Sequence, residues 1–569
     1  MTRSAGVERV LYWFGLMALA WAVLTFLLIP MVAALHAALF RHGGLAMFDA
    51  ISELAGSRRV RAALWNTLWM TAATTVTVTI IGMFQVAVLE YFRVRGHGLL
   101  KLAFSTPLVF GGVVAAAGYN FTYGPSGAVT AALTALFPLI PRDWFVGWLG
   151  VLFAHTFLMT SFHFLFLRAA MRRVDYSTIE AARSMGASEA TILRRVVLPV
   201  ITPTVLAVTL LTLITAMGSF AAPQVLGGPD FHMLSQMVLT LNGLRRPDMA
   251  ALLALLMGLV LMGLILLSQY FEAKGAYTAG AKTTTRIQVR SIRNPLARLV
   301  VTALAYLLAA IYLVPLALIV LFSFAPASSI GIEVLPATFT LANYARVLGG
   351  GAAFVPFFNS MLLSSIAVAV GLAITLFAVP IMVRKRGWLP RALDICFILP
   401  WIIPTILLAV GLIAAFDAPN PLVGNAVLLG SYWLLPIGYT IFSLPLMVRF
   451  MRSAFIGIDP AYEEAARAMG AAGPYRFRRV VLPLVAPTAV LVASMKFNNL
   501  LAEYPLSAFL YNVNNMPLPI AIVDGAVSAD PDQAAISLVY VTLIMAFSLA
   551  VILIAERLSF GRTPQSNNL

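Results

Sequence analysis

Charge is what this sequence has least of. Its 569 residues include 38 Lys+Arg and 22 Asp+Glu, while 61% are hydrophobic. A water-soluble chain of this length needs far more polar side chains to cover its surface, which excludes soluble multidomain enzymes, disordered chains and disulfide scaffolds. The single cysteine, Cys396, permits neither an internal disulfide nor a cysteine-based metal site, and is read as a small buried apolar residue. The phosphate-binding pattern G-x-x-x-x-G-K-[ST] is absent, and no Gly-Lys dipeptide occurs at all. There is no H-E-x-x-H, and the six histidines (His36, His42, His97, His155, His163, His232) form no tight ligand cluster. His155 and His163, eight apart, suit packing or a lumen-facing pair. No nucleophile–base arrangement is found, so no catalytic residue, no metal site and no cofactor is predicted. The net charge of +16 is spread over short loops without an aromatic-interleaved basic patch, which argues against nucleic acid.

Long apolar runs are what the sequence has instead. A bilayer crossing needs about 20 mostly apolar residues in a helix, because a helix satisfies its own backbone polar groups in lipid. Twelve runs qualify. Six lie at roughly 10–40, 66–90, 99–121, 145–168, 199–221 and 250–271; six more lie at 296–324, 360–383, 392–416, 428–451, 482–504 and 536–556. The first run has no small-residue cleavage site after it and reads as an anchor helix rather than a signal peptide. With the N-terminus inside, 29 Lys+Arg fall on the inner side and 8 on the outer, with Lys496 inside a span. The positive-inside rule then puts both termini in the cytoplasm of an inner (plasma) membrane protein in contact with lipid.

The chain repeats itself. After the fourth run stands E-A-A-R-S-M-G (180–186), and nine residues later V-V-L-P (196–199). After the tenth stands E-A-A-R-A-M-G (464–470), and nine residues later V-V-L-P (480–483). The offset is 284, and 13 of the 20 aligned positions are identical. Asn66-Thr67 and Pro107 find partners in Asn359-Ser360 and Pro400 at an offset of 293. The expected organisation is a first six-helix half at 1–272, a cytoplasmic linker at 273–293 and a second half at 294–569. Two halves in the same orientation imply a pseudo-two-fold axis along the membrane normal, with a pathway between them. Each repeated loop is expected to be a short helix capped by Asp175 or Asp459, a turn at Gly186 or Gly470, and a second helix beginning before Leu-Pro. Solvated loops are little constrained by packing, so a loop that repeats better than its flanking spans points to one docking task performed twice. Glu180 and Glu464 can offer carboxylates to a basic partner surface, and the pairs Ala181-Ala182 and Ala465-Ala466 allow close approach.

With both loops quoted, the sequence resembles the integral-membrane subunits of binding-protein-dependent ABC importers, whose hallmark is E-A-A-x3-G-x9-I-x-L-P. Val196 and Val480 stand in the usual Ile place. The resemblance covers both halves and implies an all-α integral membrane fold of twelve transmembrane helices, two homologous six-helix halves in parallel, like type I ABC importers. It implies that the loops couple to a cytoplasmic ABC ATPase, present in two copies, through Glu180, Ala181, Ala182, Gly186, Glu464, Ala465, Ala466 and Gly470. It further implies a periplasmic or lipid-anchored solute-binding protein, for which the outer loops near 224–248, 325–358 and 511–535 are the expected landing surface. Fused two-half permeases are similar to those importing ferric iron, thiamine or 2-aminoethylphosphonate, with ferric iron the first expectation.

Lys496 and Glu503 are charges in or near the eleventh span, seven residues apart and so on one helical face, with Asn499 between them. Their counterparts at offset 284 are Thr212 and Ser219. These five are the candidate pathway residues. The alternative, an ion-gradient-driven secondary transporter, would need intramembrane acids as relays. The loop after the second span also lacks the G-x-x-x-D-R-x-G-R-R pattern of the largest such family.

Overall fold

A computed structural model describes residues 2–41, 44–45, 47–276, 290–292 and 294–560. His42, most of the expected linker (277–289 and 293) and the tail with Arg562 lie outside the described residues. Apart from a two-residue β pair, Phe40–Arg41 with Gly44–Leu45, the regular structure described is helical. The first half contains α1 (Tyr12–Leu39), α2 (Arg58–Tyr91), α3 (His97–Val109), α4 (Gly112–Tyr123), α5 (Trp148–Met171), α6 (Tyr176–Ser184), α7 (Glu189–Met217) and α8 (Pro247–Tyr270). The second half repeats the order with α9 (Pro295–Ser323), α10 (Ala352–Arg384), α11 (Trp388–Ile402), α12 (Thr405–Phe416), α13 (Leu434–Ile456), α14 (Pro460–Ala468), α15 (Gly473–Leu501) and α16 (Pro531–Val551). Among the described residues, ten helices are long and apolar enough to cross a bilayer, or up to twelve when each of two bent pairs counts as one span. The helix of α8 runs on to Ala276, four residues into the stretch read as linker.

The third span of each half corrects the sequence reading. Both were expected as single helices, and both are broken: α3 meets the stretch Gly112–Leu136, which begins with α4, at 117°, and α11 meets α12 at 109°. The breaks fall at the same place in the repeat, after Val109 and after Ile402, at the offset of 293 that relates Pro107 to Pro400. Proline at 404 disfavours helical geometry at Ile403, which adopts φ −87°, ψ 132°. In the first half the poor helix formers Gly111 and Gly112 do the same work, with Phe110 extended.

Three of the four π-helical turns described, at Leu24–Leu28, Leu193–Val197 and Phe477–Val481 but not that at Ala87–Tyr91, each end two residues before a proline (Pro30, Pro199, Pro483). Proline cannot supply the usual amide bond and its ring crowds the preceding turn, so the helix widens just ahead of it.

Within each half α2 packs on α5 and α7 on both, as α10 packs on α13 and α15 on both. The first span of each half instead reaches across: α1 lies along α12, and α9 along α3 and α4. Gly118 and Gly411 sit at these two crossings. A Cβ on Gly118 would lie 2.9 Å from Ile319, and one on Gly411 would lie 2.4 Å from the Pro30 carbonyl. Polar pins join the halves as well. Gln85 donates to the Tyr312 hydroxyl at 2.9 Å, and that hydroxyl also meets Thr160 at 2.5 Å.

The Asn66-Thr67 and Asn359-Ser360 echoes have a structural cause. Beyond the ends of α7 and α15 the chain turns back and forms ten-residue helices, Leu234–Gly243 and Leu518–Val527. The Thr67 hydroxyl accepts the Leu234 N–H at 2.8 Å, and the Ser360 hydroxyl accepts that of Leu518 at 2.7 Å. Asn66 and Asn359 donate to the carbonyls just upstream, of His232 and Met516. Each dipeptide thus holds the start of a returning helix, whose first N–H groups have no partner of their own. Six residues of each returning helix are buried, so much of the loops expected to face outward is packed inward.

Candidate functional site

The two repeated loops fold alike. Asp175 accepts the Ser177 N–H at 3.0 Å to start α6, and Asp459 accepts that of Ala461 at 2.9 Å to start α14. Both helices stop at a glycine in the left-handed region, Gly186 at φ 83° and Gly470 at φ 81°. The following amides fold back, Ala187 to Ala182 and Ala471 to Ala466, closing the last turn. Ala182 and Ala466 are thereby buried, whereas Glu180, Ala181, Glu464, Ala465, Gly186 and Gly470 are exposed. Only the first alanine of each pair is exposed. A residue that the sequence reading quoted without a role stands out most. Met185 and Met469, at equivalent positions before each glycine, are 81% and 82% exposed.

The loops differ in how they are held. Glu180 accepts from Tyr176 at 2.7 Å and from Arg183 at 3.0 Å. The Tyr176 hydrogen bond and the neighbouring guanidinium groups of Arg183 and Arg290 hold its carboxyl below the usual range. Arg183 also binds Glu189, which accepts from the Tyr91 hydroxyl at 2.6 Å. Arg290, from the far end of the linker, joins this cluster, with guanidinium contacts to Glu180 at 3.6 Å and Glu189 at 3.5 Å. Its backbone pairs with the end of α2, bonding Tyr91 at 3.0 Å and Arg93 at 2.5 Å. On α14 the partner of Arg384 is Glu463, and Glu464 makes no hydrogen bond or ion pair among the described residues.

The second constellation is a cavity of about 890 Å³ between the halves. It is lined by the break between α3 and α4, from Pro107 to Val113, by the end of α15 and the residues just after it, with Ser494, Lys496, Asn499 and Glu503, and by Ser219 and Phe220. A second chamber of about 400 Å³ lies against the other break, from Pro400 to Ile406, with Phe442 and Ile214. Gly218, Leu446, Lys496 and Pro505 line both chambers.

Of the five pathway candidates, Lys496, Asn499, Glu503 and Ser219 line the larger cavity. Thr212 does not. It is fully buried and bonds His163 at 3.4 Å and the Val208 carbonyl at 3.0 Å. His155 and His163 are buried in a polar lattice: His155 meets Ser219 at 2.8 Å and Thr74 at 3.3 Å, and His163 meets Thr79 at 3.2 Å. Glu503 is not on the α15 helix, which ends at Leu501; its carboxylate accepts the Leu506 N–H at 3.1 Å, capping the short helix Pro505–Leu510. The Lys496 ammonium lies 4.8 Å from the centre of the Phe442 ring. Phe220 and Tyr504, equivalent at offset 284, stack against each other with ring centres 5.4 Å apart, so the pseudo-axis passes between them. Applying the loop offset to Phe220 would have found this pair. The Arg290 clamp joins residues too distant for any local signal.

Two interlocked six-span halves, duplicated solvent-facing loops and a cavity on the axis between them define a helical membrane transport subunit. The chain belongs to the family of binding-protein-dependent transport system inner membrane components, whose pattern matches residues 114–274 and 365–562. It is 89% identical over 569 residues, the full length of both proteins, to an ABC transporter permease protein of Sinorhizobium fredii. It is 21% identical over 553 residues, 95% of this chain and 77% of the relative, to a ferric transport system permease of Actinobacillus pleuropneumoniae. A 2-aminoethylphosphonate transport system permease of Salmonella typhi is 27% identical over 232 residues, 40% of this chain and 80% of the relative. The chain is an ABC-transporter permease, a membrane transport subunit rather than a catalytic one, from a family that works with ATPase and binding-protein partners.

Proposed function

We propose that this permease imports a small solute, with α6 and α14 each docking on one copy of a cytoplasmic ATPase. Both termini are then cytoplasmic, and a solute-binding protein delivers to the opposite side. The observation that carries the reading is the pair of exposed methionines, Met185 and Met469, presented at one position of two helices that end at left-handed glycines. A flexible apolar side chain at that exposure, beside a small Ala181 or Ala465, suits a groove in a partner. Closure of an ATPase dimer would drive both loops together and shift the halves between inward-open and outward-open states, because the partner binds one state better than the other. Ferric iron and 2-aminoethylphosphonate are the solutes named for the relatives.

Replacing both methionines by aspartate is expected to abolish co-purification of the ATPase in mild detergent while leaving the chain monodisperse in the membrane fraction. Full retention of the ATPase by Met185→Asp/Met469→Asp would remove these loops as the docking sites.

A further inference from the structure

Lys496 is a buried charge that interacts electrostatically with Glu503 of the same cavity without touching it. Only 7% of the lysine is exposed, it lines both chambers, and among the described residues it makes no hydrogen bond or ion pair. Its one close neighbour of note is the Phe442 ring. Glu503 lines the same cavity, but its carboxylate accepts the Leu506 N–H and does not pair with the ammonium. A buried ammonium is costly unless something pairs with it.

The same cavity is lined by the start of α4. Gly111 and Gly112 leave its first turn without side chains, no side chain caps it, and the first bond within the helix is from Ala115 to Gly111. The Gly112 and Val113 amides therefore stand at a cavity wall with no helix partner. A helix start carries about half a positive charge, and discontinuous transmembrane helices present such starts to anionic solutes.

We propose that this cavity binds the oxyanion of a small organic solute, a phosphonate or carboxylate, between the Lys496 ammonium and the start of α4. The assignment rests on the permease reading, because it places the solute on the route between the halves. Thr212 at the equivalent position of the other half is neutral and buried, so the second half supplies the charge and the first supplies the amides.

The test uses the full-length chain in phosphatidylcholine nanodiscs, with 2-aminoethylphosphonate and inorganic phosphate as probes and phosphorus NMR line broadening as readout. Wild-type protein is expected to broaden the 2-aminoethylphosphonate resonance. Lys496→Met and the more polar Lys496→Gln should each weaken the effect about tenfold or more, and Lys496→Arg should keep most of it. Equal broadening by Lys496→Gln, or none from either probe with wild type, overturns the proposal. Discs containing phosphatidylglycerol separate the two sources of such an anion: if that lipid suppresses the broadening through Lys496, the site takes a lipid headgroup and the solute assignment falls. Co-purification of the ATPase, measured in parallel, should be the same for wild type and Lys496→Gln. Its absence from wild type would defeat the permease–ATPase reading without touching the binding result.

Discussion

Thr67 and Ser360 illustrate how single side chains position whole segments here. Each hydroxyl is buried and satisfies the first amide of a returning helix. Thr67→Val and Ser360→Ala would leave that amide unpaired, so each is expected to lower stability by roughly 1–3 kcal/mol. The two sites share no partners, and the double variant should show the sum in thermal unfolding of the detergent-solubilised chain. Arg290 works at the same scale but on one half alone. Arg290→Ala is expected to speed hydrogen exchange across 176–192 and leave 460–476 unchanged; equal effects on both loops would contradict the clamp. The pH dependence has a definite sign. Because the folded-state carboxyl of Glu180 titrates below its ordinary range, its contribution is present above that range and disappears as pH falls through the lowered value. Exchange in the first loop, corrected for intrinsic rate, should therefore be flat from about pH 6 to 8 and rise only in acid.

At the scale of elements, the broken third spans shape the site. Their breaks turn backbone amides toward a cavity that unbroken helices would have left apolar. The first break is held by a close approach: a Cβ on Gly111 would come within 2.5 Å of the Ala502 Cβ. Gly111→Ala is expected to destabilise by about 1–3 kcal/mol, since the start of α4 and the end of α15 must separate. Ala502→Gly in the same chain should restore most of that loss, which a double-mutant cycle of melting midpoints would measure. No rescue would mean that Gly111 acts through backbone freedom rather than through this contact. Gly111-Gly112 and Pro404 were visible as helix breakers in the sequence. Each lies in a run whose length and apolarity fit a single span, and that pattern masked the break.

At the scale of the molecule, the exchanged first spans make the halves one body, with α1 on α12 and α9 on α3 and α4. Motion that opens a route between the halves must therefore pass through the axis, where Phe220 meets Tyr504 and both are buried. Removing both rings in Phe220→Ala/Tyr504→Ala is expected to permit solute leak in proteoliposomes without ATP, while each single variant leaks less. Liposomes as tight as wild type would show that the closure lies elsewhere.

The sequence alone was enough for the membrane class, the duplication and the form of both repeated loops. Each of these is set by local chemistry: apolar length against bilayer thickness, an Asp at a helix start, a glycine at a helix end. It also determined that Lys496 and Glu503 were unusual, because charge in an apolar run is conspicuous in any fold. Tertiary structure alone decided what those charges meet. It sent Thr212 to His163 and Ser219 to the cavity, although both belong to one span. It separated Glu503 from the helix of Lys496 and returned it to the same cavity, and it brought Arg290 to Glu180 and Glu189 from beyond the linker. Such contacts join residues from tens to more than a hundred positions apart, and they are selected by how the helices pack rather than by any period along the chain.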